Sequence, residues 1–420
     1  MELTKEIHDF LLTDAVERFL KYVRIWTTSD ESAETVPTTK NQFDLGKVLV
    51  EELTELKLKN IIHDDLGFVY ADLPPSPGYE NKKPIGLLAH LDTSPAVSGK
   101  DVKPVIHRNY DGKNIRYAQD PELVLTPEDS PPLAEYIGMD IITSEGNTLL
   151  GADNKAGIAE IMAACAAWQK YPELTHGPIV ICFTIDEETG KGIDNVNKDK
   201  LPETCYTVDG GQMGELEYEC FDAWLAQIKF KGLSVHPGYA KNKMINAIQI
   251  ATRYFSDFPE AESPEHTEER EGYFHLSKLQ GSAEESSARM IIRDFKLENN
   301  ERRLEFIKKL KDAYEIRYQG LIIEIKFTHQ YQNMQKYIEK NQKIIDLAHK
   351  AIEKVGLEVR VHPIRGGTDG ARLSAKGILT PNIFSGGSLF HSRKEHIPTL
   401  ALQKASETLL YLGELWATEK

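Results

Sequence analysis

The chain has 420 residues, of which 40% are hydrophobic, and its formal net charge at pH 7 is -15. A chain of this length can bury a sizeable core and exceeds a typical single domain, so we expect two domains. A strongly acidic protein repels phosphate, which argues against nucleic acid and anionic membranes as partners. Small molecules or peptides fit this charge better.

The N-terminal segment MELTKEIHDFLLTDAVERFL is charged throughout and lacks an apolar signal core. No run of about 18 apolar residues follows it, so we expect no membrane-spanning helix. The cysteines form no CxxC pair and no short secreted framework; they are Cys165, Cys182, Cys205 and Cys220. We therefore expect an unprocessed protein in a reducing compartment, the cytoplasm.

The first half of the chain alternates helix-like and strand-like patterns. Apolar positions recur at helical spacing over residues 14–24 and 43–56, and residues 60–74 then resemble a strand pair. Short apolar runs that end in polar residues follow, as buried strands do; they are PIGLLAHLD (84–92), GPIVICFTIDEE (177–188) and CYTVDGG (205–211). A strong helix pattern at 155–170 precedes the middle run, which predicts a sheet covered by helices on both faces.

The pattern changes at about Phe221 to strand, helix, two strands, helix and strand, a compact βαββαβ unit. After about Asn333, helix patterns near 337–355 and 399–417 flank a last strand, TPNIFSGG. We therefore predict an α/β fold whose first domain is discontinuous and contains a mixed sheet covered by helices. Its boundaries are 1–220 and 334–420, and the inserted smaller α+β domain is 221–333.

Polar side chains stand at the tips of the predicted strands, where an open α/β sheet binds its ligand. They are His90, Asp92, Asp186, Glu187, Glu188 and Asp209. Asp153 lies just before the 155–170 helix, and His391 follows the last strand. Imidazoles and carboxylates are metal ligands, so the set predicts a metal site. Taken singly, each has an ordinary alternative, such as a satisfied core histidine or a solvated acidic turn.

The spacing of these residues suggests separate tasks. His90 and Asp92 are two residues apart, so both side chains lie on the same side of a strand end and the carboxylate can accept from the second imidazole nitrogen. The adjacent Glu187 and Glu188 would repel one another in a partly buried place unless a cation compensates. One of the two can bind metal while the other moves protons.

Charge favours two metal ions over one. Three ligating carboxylates, Asp153, Glu188 and Asp209, offset three of the four positive charges of two Zn²⁺ ions. Two such ions can share a bridging carboxylate and a water whose pKa they lower.

Several segments resemble the peptidase T family of two-zinc metallopeptidases, whose relatives include carboxypeptidases and deacylases. They are HLDTSP (90–95), LLGADNKAGIAEIM (149–162), DEETGKG (186–192), YTVDGG (206–211), VHPG (235–238), IIRDF (291–295), PIRGGTDGA (363–371) and the late LFHSRKEH. They occur in the same order from the first helix to the last. One departure is Asn154, where the family has a second Asp in its GADDK motif.

The resemblance implies a tripeptide aminopeptidase with two Zn²⁺ ions per subunit. His90, Glu188, Asp209 and His391 match terminal zinc ligands, Asp153 the bridging carboxylate, Asp92 the partner of the first imidazole and Glu187 the general base. His90 and Asp209 would hold one ion and Glu188 and His391 the other. The resemblance also implies a cis peptide bond between Asp153 and Asn154.

The smaller domain of this family faces the metal pair and binds the far end of the peptide. His236 matches a residue that reaches the substrate carbonyl or oxyanion, and Arg293 and Arg365 match candidates for the substrate carboxylate. The alternatives are a turn histidine before proline and surface salt-bridge arginines. Many relatives pair through this domain, so a homodimer is an option.

Other functions fit the same scaffold: a dipeptidase, a carboxypeptidase, an N-acyl-amino-acid deacylase, or a binding protein on an inactive peptidase fold. The carboxypeptidases and deacylases often have Glu where Asp209 stands, which favours the aminopeptidase branch. Retention of Glu187 with every ligand argues against an inactive fold.

Overall fold

The computed structural model describes residues 2–419. The helices are α1 (Lys5–Tyr22), α2 (Gln42–Glu55), α3 (Ala152–Lys170), α4 (Ala247–Ser256), α5 (Leu297–Arg317), α6 (Gln335–Ile338), α7 (Gln342–Lys354), α8 (Asp369–Ala375) and α9 (Thr399–Thr418). The strands are β1 (Lys59–His63), β2 (Val69–Leu73), β3 (Ile85–His90), β4 (Val105–His107), β5 (Ile115–Arg116), β6 (Val124–Leu125), β7 (Ile141–Thr143), β8 (Ile179–Thr184), β9 (Cys205–Gly210), β10 (Glu215–Glu217), β11 (Asp222–Lys231), β12 (Tyr273–Gly281), β13 (Glu285–Asp294), β14 (Ile322–Tyr331), β15 (Arg360–Val361), β16 (Asn382–Phe384) and β17 (His396–Pro398).

The largest sheet is mixed and has eight strands in the order β1-β2-β8-β3-β9-β16-β10-β15. Its centre is parallel, because β8, β3, β9 and β16 run in one direction, whereas β1/β2, β2/β8 and β16/β10 pair antiparallel. Every residue of β3 is buried, as its uninterrupted apolar run predicts. The predicted fold class is confirmed.

The three adjacent strands β8, β3 and β9 end at the same edge of this sheet. His90, the last residue of β3, pairs with Thr184, the last residue of β8. Asp209 lies near the end of β9. Parallel strands present their carboxyl ends together, so these tips define one edge at which a ligand can bind.

Helices α1, α3, α7 and α9 pack on one another beside the sheet, with α3 against β3 and β9. The first helix begins at Lys5, earlier than the predicted 14–24, because its buried positions extend back to Ile7. Thr4 caps it by accepting the N–H of Ile7. Helix α3 is buried on nearly all sides, which fits a helix enclosed by other helices and the sheet.

Residues 105–143 form small elements that the sequence analysis did not predict. β17, β7 and β4 make a three-stranded antiparallel sheet, and β5 pairs with β6. A separate apolar cluster that includes Tyr110, Tyr117, Leu133 and Tyr136 packs there. These strands have two or three residues each, too few for a period to be read from the sequence.

The βαββαβ segment forms an antiparallel sheet in the order β12-β13-β11-β14. Helices α4 and α5 pack against it. Alternation along β11 buries Ala226, Ile228 and Phe230, whereas Gln227 and Lys229 are exposed. One face of this sheet therefore carries the core of the unit.

The described chain divides into two compact units. The second unit comprises Glu219–Gln335 and Pro363–Gly367, and the first unit contains the described residues up to Tyr218, Lys336–His362 and those from Thr368 onward. The sequence pattern predicts an insertion over 221–333, which lies within this second unit. The short return at 363–367 joins the second unit because its backbone pairs there: Ile364 donates to Glu219 and accepts from Phe221.

All four cysteines are buried in the described chain. Between residues 2 and 419, none of the helices combines the length and apolar character that crossing a bilayer demands. The predicted cis peptide bond between Asp153 and Asn154 is present, and Val36–Pro37 is also cis.

Candidate metal centre

His90 lies at the middle of a cluster of carboxylates. Its Nε2 is 2.9 Å from Asp153 Oδ1 and 3.5 Å from Asp209 Oδ1. The imidazole is 2% exposed, so these contacts form away from bulk water. Burial lowers the pKa of His90, but Asp209, Asp153 and Asp92 outweigh burial and raise that pKa well above its usual range.

Asp92 contacts His90 differently from the expected pairing of carboxylate and imidazole. The nearest atom to His90 Nδ1 is the backbone oxygen of Asp92, at 2.9 Å, whereas the Asp92 carboxylate is 3.4 Å away. That carboxylate instead accepts the N–H of Glu187 at 3.0 Å and of Glu188 at 3.2 Å. Asp92 therefore links the end of β3 to the turn after β8.

Asp153 stands at the start of α3, where the backbone departs from helical geometry. Asp153 and Asn154 have non-helical dihedral angles, and Gly151 has a φ of 85°. Oδ1 of Asp153 faces His90, and Oδ2 lies 3.0 Å from His391 Nε2. A carboxylate whose oxygens address two different imidazoles has the geometry of a bridge between two cations.

Two groups of potential ligands share Asp153. One contains His90 and Asp209. The other contains Glu188 and His391, and Glu188 Oε2 lies 3.0 Å from His391 Nε2. In each group one nitrogen or oxygen atom per residue lies within 4.8 Å of the others. The structure thus brings together all five residues that the sequence analysis proposed as ligands.

The donor set fits metal ions. Oε1 of Glu188 is buried and has no hydrogen-bond partner within the described residues 2–419, and a buried carboxylate oxygen without a partner is costly unless a cation reaches it. Nitrogen and oxygen donors of His, Asp and Glu are those that zinc takes in catalytic sites.

The buried acids of the cluster also shift one another's pKa values. Burial and the nearby Asp153 raise the pKa of Glu188 to about 7. Hydrogen bonds to Asp153 and Glu188 raise the pKa of His391 to about 11. Burial and neighbouring acids raise the pKa of Glu187 well above its usual range, although His90 opposes this. Bound cations would favour the deprotonated form of such carboxylates.

The three residues proposed to bind substrate all belong to the second unit. His236 is exposed, and its Nδ1 accepts the N–H of Gly238. Arg293 donates to the backbone oxygens of Trp224 and Ile292 and to Gln330 Oε1, each at 3.0 Å.

Arg365 makes a larger set of contacts within its own unit. Its guanidinium donates to the backbone oxygens of Thr267, Glu269 and Glu271 and lies over the rings of Phe221 and Tyr273. These contacts fit a residue that holds the 267–271 loop. They favour the structural alternative for Arg365 over substrate binding.

Asp369 and Glu395, which had no predicted role, also lie near the proposed ligands, whereas Asp186, one of the predicted strand-tip acids, belongs to neither ligand group. Asp369 is buried, accepts from Thr184 Oγ1 at 2.6 Å and has a pKa raised by burial to about 7. It lies in PIRGGTDGA (363–371), one of the segments that carry the family resemblance. Asp186 precedes the glutamate pair with a φ of 51° and accepts from Thr38 and Gln42. Glu395, in the same motif as His391, is buried and accepts backbone N–H groups beside Asp153.

The chain belongs to Peptidase family M20/M25/M40, whose model matches residues 144–414. It is 46% identical over 407 residues to Peptidase T of Clostridium acetobutylicum, a match that covers 97% of this chain and all of that protein.

Two solved structures share the fold. Aminopeptidase PepT of Bacillus cereus is 22% identical with a TM-score of 0.75, and a tripeptidase of Staphylococcus aureus is 20% identical with a TM-score of 0.77. Each match covers 97% of this chain and 99% of the other.

Proposed function

We propose that the protein is a two-zinc aminopeptidase that removes the N-terminal residue from tripeptides. The observation that carries this proposal is the position of Asp153 between His90 and His391, with one carboxylate oxygen toward each. The names of the relatives, Peptidase T, aminopeptidase and tripeptidase, supply the substrate class. They favour this activity over the dipeptidase, carboxypeptidase and deacylase alternatives.

We assign His90, Asp153 and Asp209 to one ion, and Asp153, Glu188 and His391 to the other. When bound, zinc acidifies water and polarises the scissile carbonyl group. The protein residues supply the proton transfers and the alignment.

Glu187 is the proposed general base. It takes a proton from the attacking water and passes it to the leaving amine as the peptide bond breaks. Asp92 supports this task because its carboxylate accepts the backbone N–H of both Glu187 and Glu188, which fixes the turn that carries the pair. A raised pKa suits a group that must accept and then release the same proton.

Substrate contacts are assigned to the second unit. We propose that His236 donates to the oxyanion and that Arg293 binds the substrate carboxylate. Arg365 is the second candidate for that carboxylate; like Arg293, it already donates to acceptors within the second unit. A homodimer formed through the second unit remains a prediction.

The test is a peptide series assayed on protein stripped with a chelator and refilled with zinc. A free tripeptide should be cleaved to an amino acid and a dipeptide, more efficiently than a dipeptide or a tetrapeptide. An N-acetylated tripeptide of the same sequence should resist cleavage, since the proposal requires a free amine. Turnover of the acetylated peptide would indicate a carboxypeptidase or deacylase, and metal binding without turnover of any peptide would indicate a binding protein.

A further inference from the structure

Glu395 is a buried carboxylate whose hydrogen bonds reach the segment that carries Asp153. It is 1% exposed. Its Oε2 accepts the N–H of Leu150 and of Gly151, each at 2.8 Å, and its Oε1 accepts the N–H of Asp153 at 3.1 Å. Three backbone donors therefore converge on a side chain that is 242 residues from Asp153 in the sequence.

The Asp153 segment has no local substitute for these bonds. Gly151, the N-cap residue of α3, has no side chain that could accept these N–H groups, and the backbone at Asp153 is non-helical. Leu150 and Gly151 are buried, so their N–H groups cannot turn to bulk water. Without Glu395 these donors would be left unsatisfied, which a buried backbone rarely tolerates.

The backbone of Glu395 belongs to the segment that carries His391. Leu389 and His391 have left-handed φ values of 53° and 59°, uncommon for residues other than glycine. Ser388 and His396 exchange two backbone hydrogen bonds that close the loop, and Glu395 N–H donates to the backbone oxygen of Ser392. Glu395 thus projects from a closed loop whose shape also sets where His391 points.

We propose that Glu395 is a positioning residue for the dinuclear centre, which holds the Asp153 and His391 segments in register so that one carboxylate serves both ions. The inference rests on the proposed metal function of Asp153. It adds a residue that touches neither metal nor substrate. The physical reason is that Asp153 can bridge only if its backbone is fixed relative to His391, and Glu395 bonds one segment while belonging to the other.

The test uses Glu395→Gln, which keeps the shape of the side chain but places an NH₂ group against backbone N–H donors. Metal-free protein is titrated with Co²⁺, with affinity measured by competition against a chelating indicator and geometry by the visible absorption spectrum. We expect affinity to fall by about ten- to a hundredfold and the saturated spectrum to change. At saturating cobalt, kcat for a tripeptide should fall while KM stays near the wild-type value.

Glu407→Gln is the matched control. Glu407 is also fully buried and accepts from Gln403 and Lys404 within α9, but it contacts none of the proposed ligands. This variant should lose stability and keep wild-type cobalt affinity and spectrum. A purely structural role for Glu395 predicts that the two variants behave alike, which would overturn the proposal.

Glu395→Asp is a second variant that tests the proposal if Glu395→Gln does not fold. It keeps the carboxylate group and changes only the length of the side chain. Hydrogen exchange at residues 148–156 should quicken in it, with a smaller loss of cobalt affinity. Wild-type affinity, spectrum and exchange in this variant would refute the proposal. Failure of the proposed function is distinguishable, since wild-type protein would then bind two cobalt ions without cleaving any peptide.

Discussion

Asp153 presents one carboxylate oxygen to His90 and the other to His391, at 2.9 and 3.0 Å. No other proposed ligand belongs to both groups found among the described residues. Replacing Asp153 should therefore affect both metal ions, whereas replacing a terminal ligand should affect mainly one.

We expect Asp153→Ala to lower zinc content at both positions and His90→Ala to lower it mainly at one. The reason is that the bridge is the only shared ligand of the two groups. Metal analysis of dialysed protein gives the stoichiometry. Two zinc ions retained at full occupancy in Asp153→Ala would remove the bridging role.

Glu187→Gln should retain two zinc ions and lose activity by about 10²- to 10⁴-fold, because an isosteric amide cannot accept the proton of the attacking water. The Asp92 bond to the backbone of residue 187 is unaffected by this change, so the turn should keep its shape. Tripeptide turnover and metal analysis are measured on the same preparation. Near wild-type turnover would exclude Glu187 from the mechanism.

Arg293→Ala should weaken kcat/KM for a free tripeptide by about ten- to a hundredfold, the scale of a charge-assisted bond of about 1.5 to 3 kcal/mol. A C-terminally amidated tripeptide should lose much less, since it lacks the carboxylate. Arg289→Ala, an exposed position on the same strand, is the control. Equal losses for acid and amide would assign Arg293 to the fold of its unit.

At the scale of elements, α3 links the candidate centre to the packed core. It begins at the irregular Asp153 segment and then packs on α1, α9, β3 and β9. Within it, Glu160 is fully buried, and neither carboxylate oxygen has a hydrogen-bond partner in the described part of the chain. Burial alone raises the pKa of Glu160 well above its usual range.

This burial predicts a pH-dependent stability cost. The folded state binds the Glu160 proton more tightly than the unfolded chain, so this residue lowers stability as pH rises above its unfolded pKa, about 4.3. Glu160→Met should raise the unfolding free energy at pH 8 by about 1 to 3 kcal/mol, and the gain should shrink toward pH 5. Thermal melts of both proteins from pH 5 to pH 8 measure it, and a variant less stable at pH 8 would contradict it.

At the scale of the whole molecule, all five proposed ligands belong to the first unit and none to the second. A ligand that binds only the folded state stabilises it by mass action, by about 2.7 kcal/mol when its concentration is a hundred times Kd. Metal binding should therefore protect the first unit preferentially.

Chelation should speed hydrogen exchange around β3, β9 and the start of α3 and leave the β11–β14 sheet largely unchanged. Exchange with mass-spectrometric readout, with and without chelator, resolves the two units by peptide. Refilling with zinc is the control and should restore protection. Equal changes of exchange rate in both units would show that metal binding stabilises the second unit as much as the first.

Local pattern was sufficient for much of the fold and for the proposed ligands. Hydrophobic periodicity and apolar runs are properties of consecutive residues, so β3, β8, β9 and α3 could be predicted from them. The polar residues at the ends of these strands could then be assigned to one site, because the carboxyl ends of parallel strands meet at one edge of the sheet. His90, Glu188 and Asp209 were found in this way, and Asp153 and His391 joined them from their places before a helix and after the last strand. The separate roles of all five depended on the family resemblance.

The sequence by itself therefore determined which residue types are available at the sheet edge and in which order they occur. Only the tertiary structure decided which atoms meet: that the backbone oxygen of Asp92 is nearest to His90, that Arg365 holds a loop, and that Glu395 bonds the Asp153 segment. The last two contacts join residues that are 94 and 242 positions apart in the chain. Their geometry depends on how packed elements close around one another, and this information is absent from any short stretch of residues.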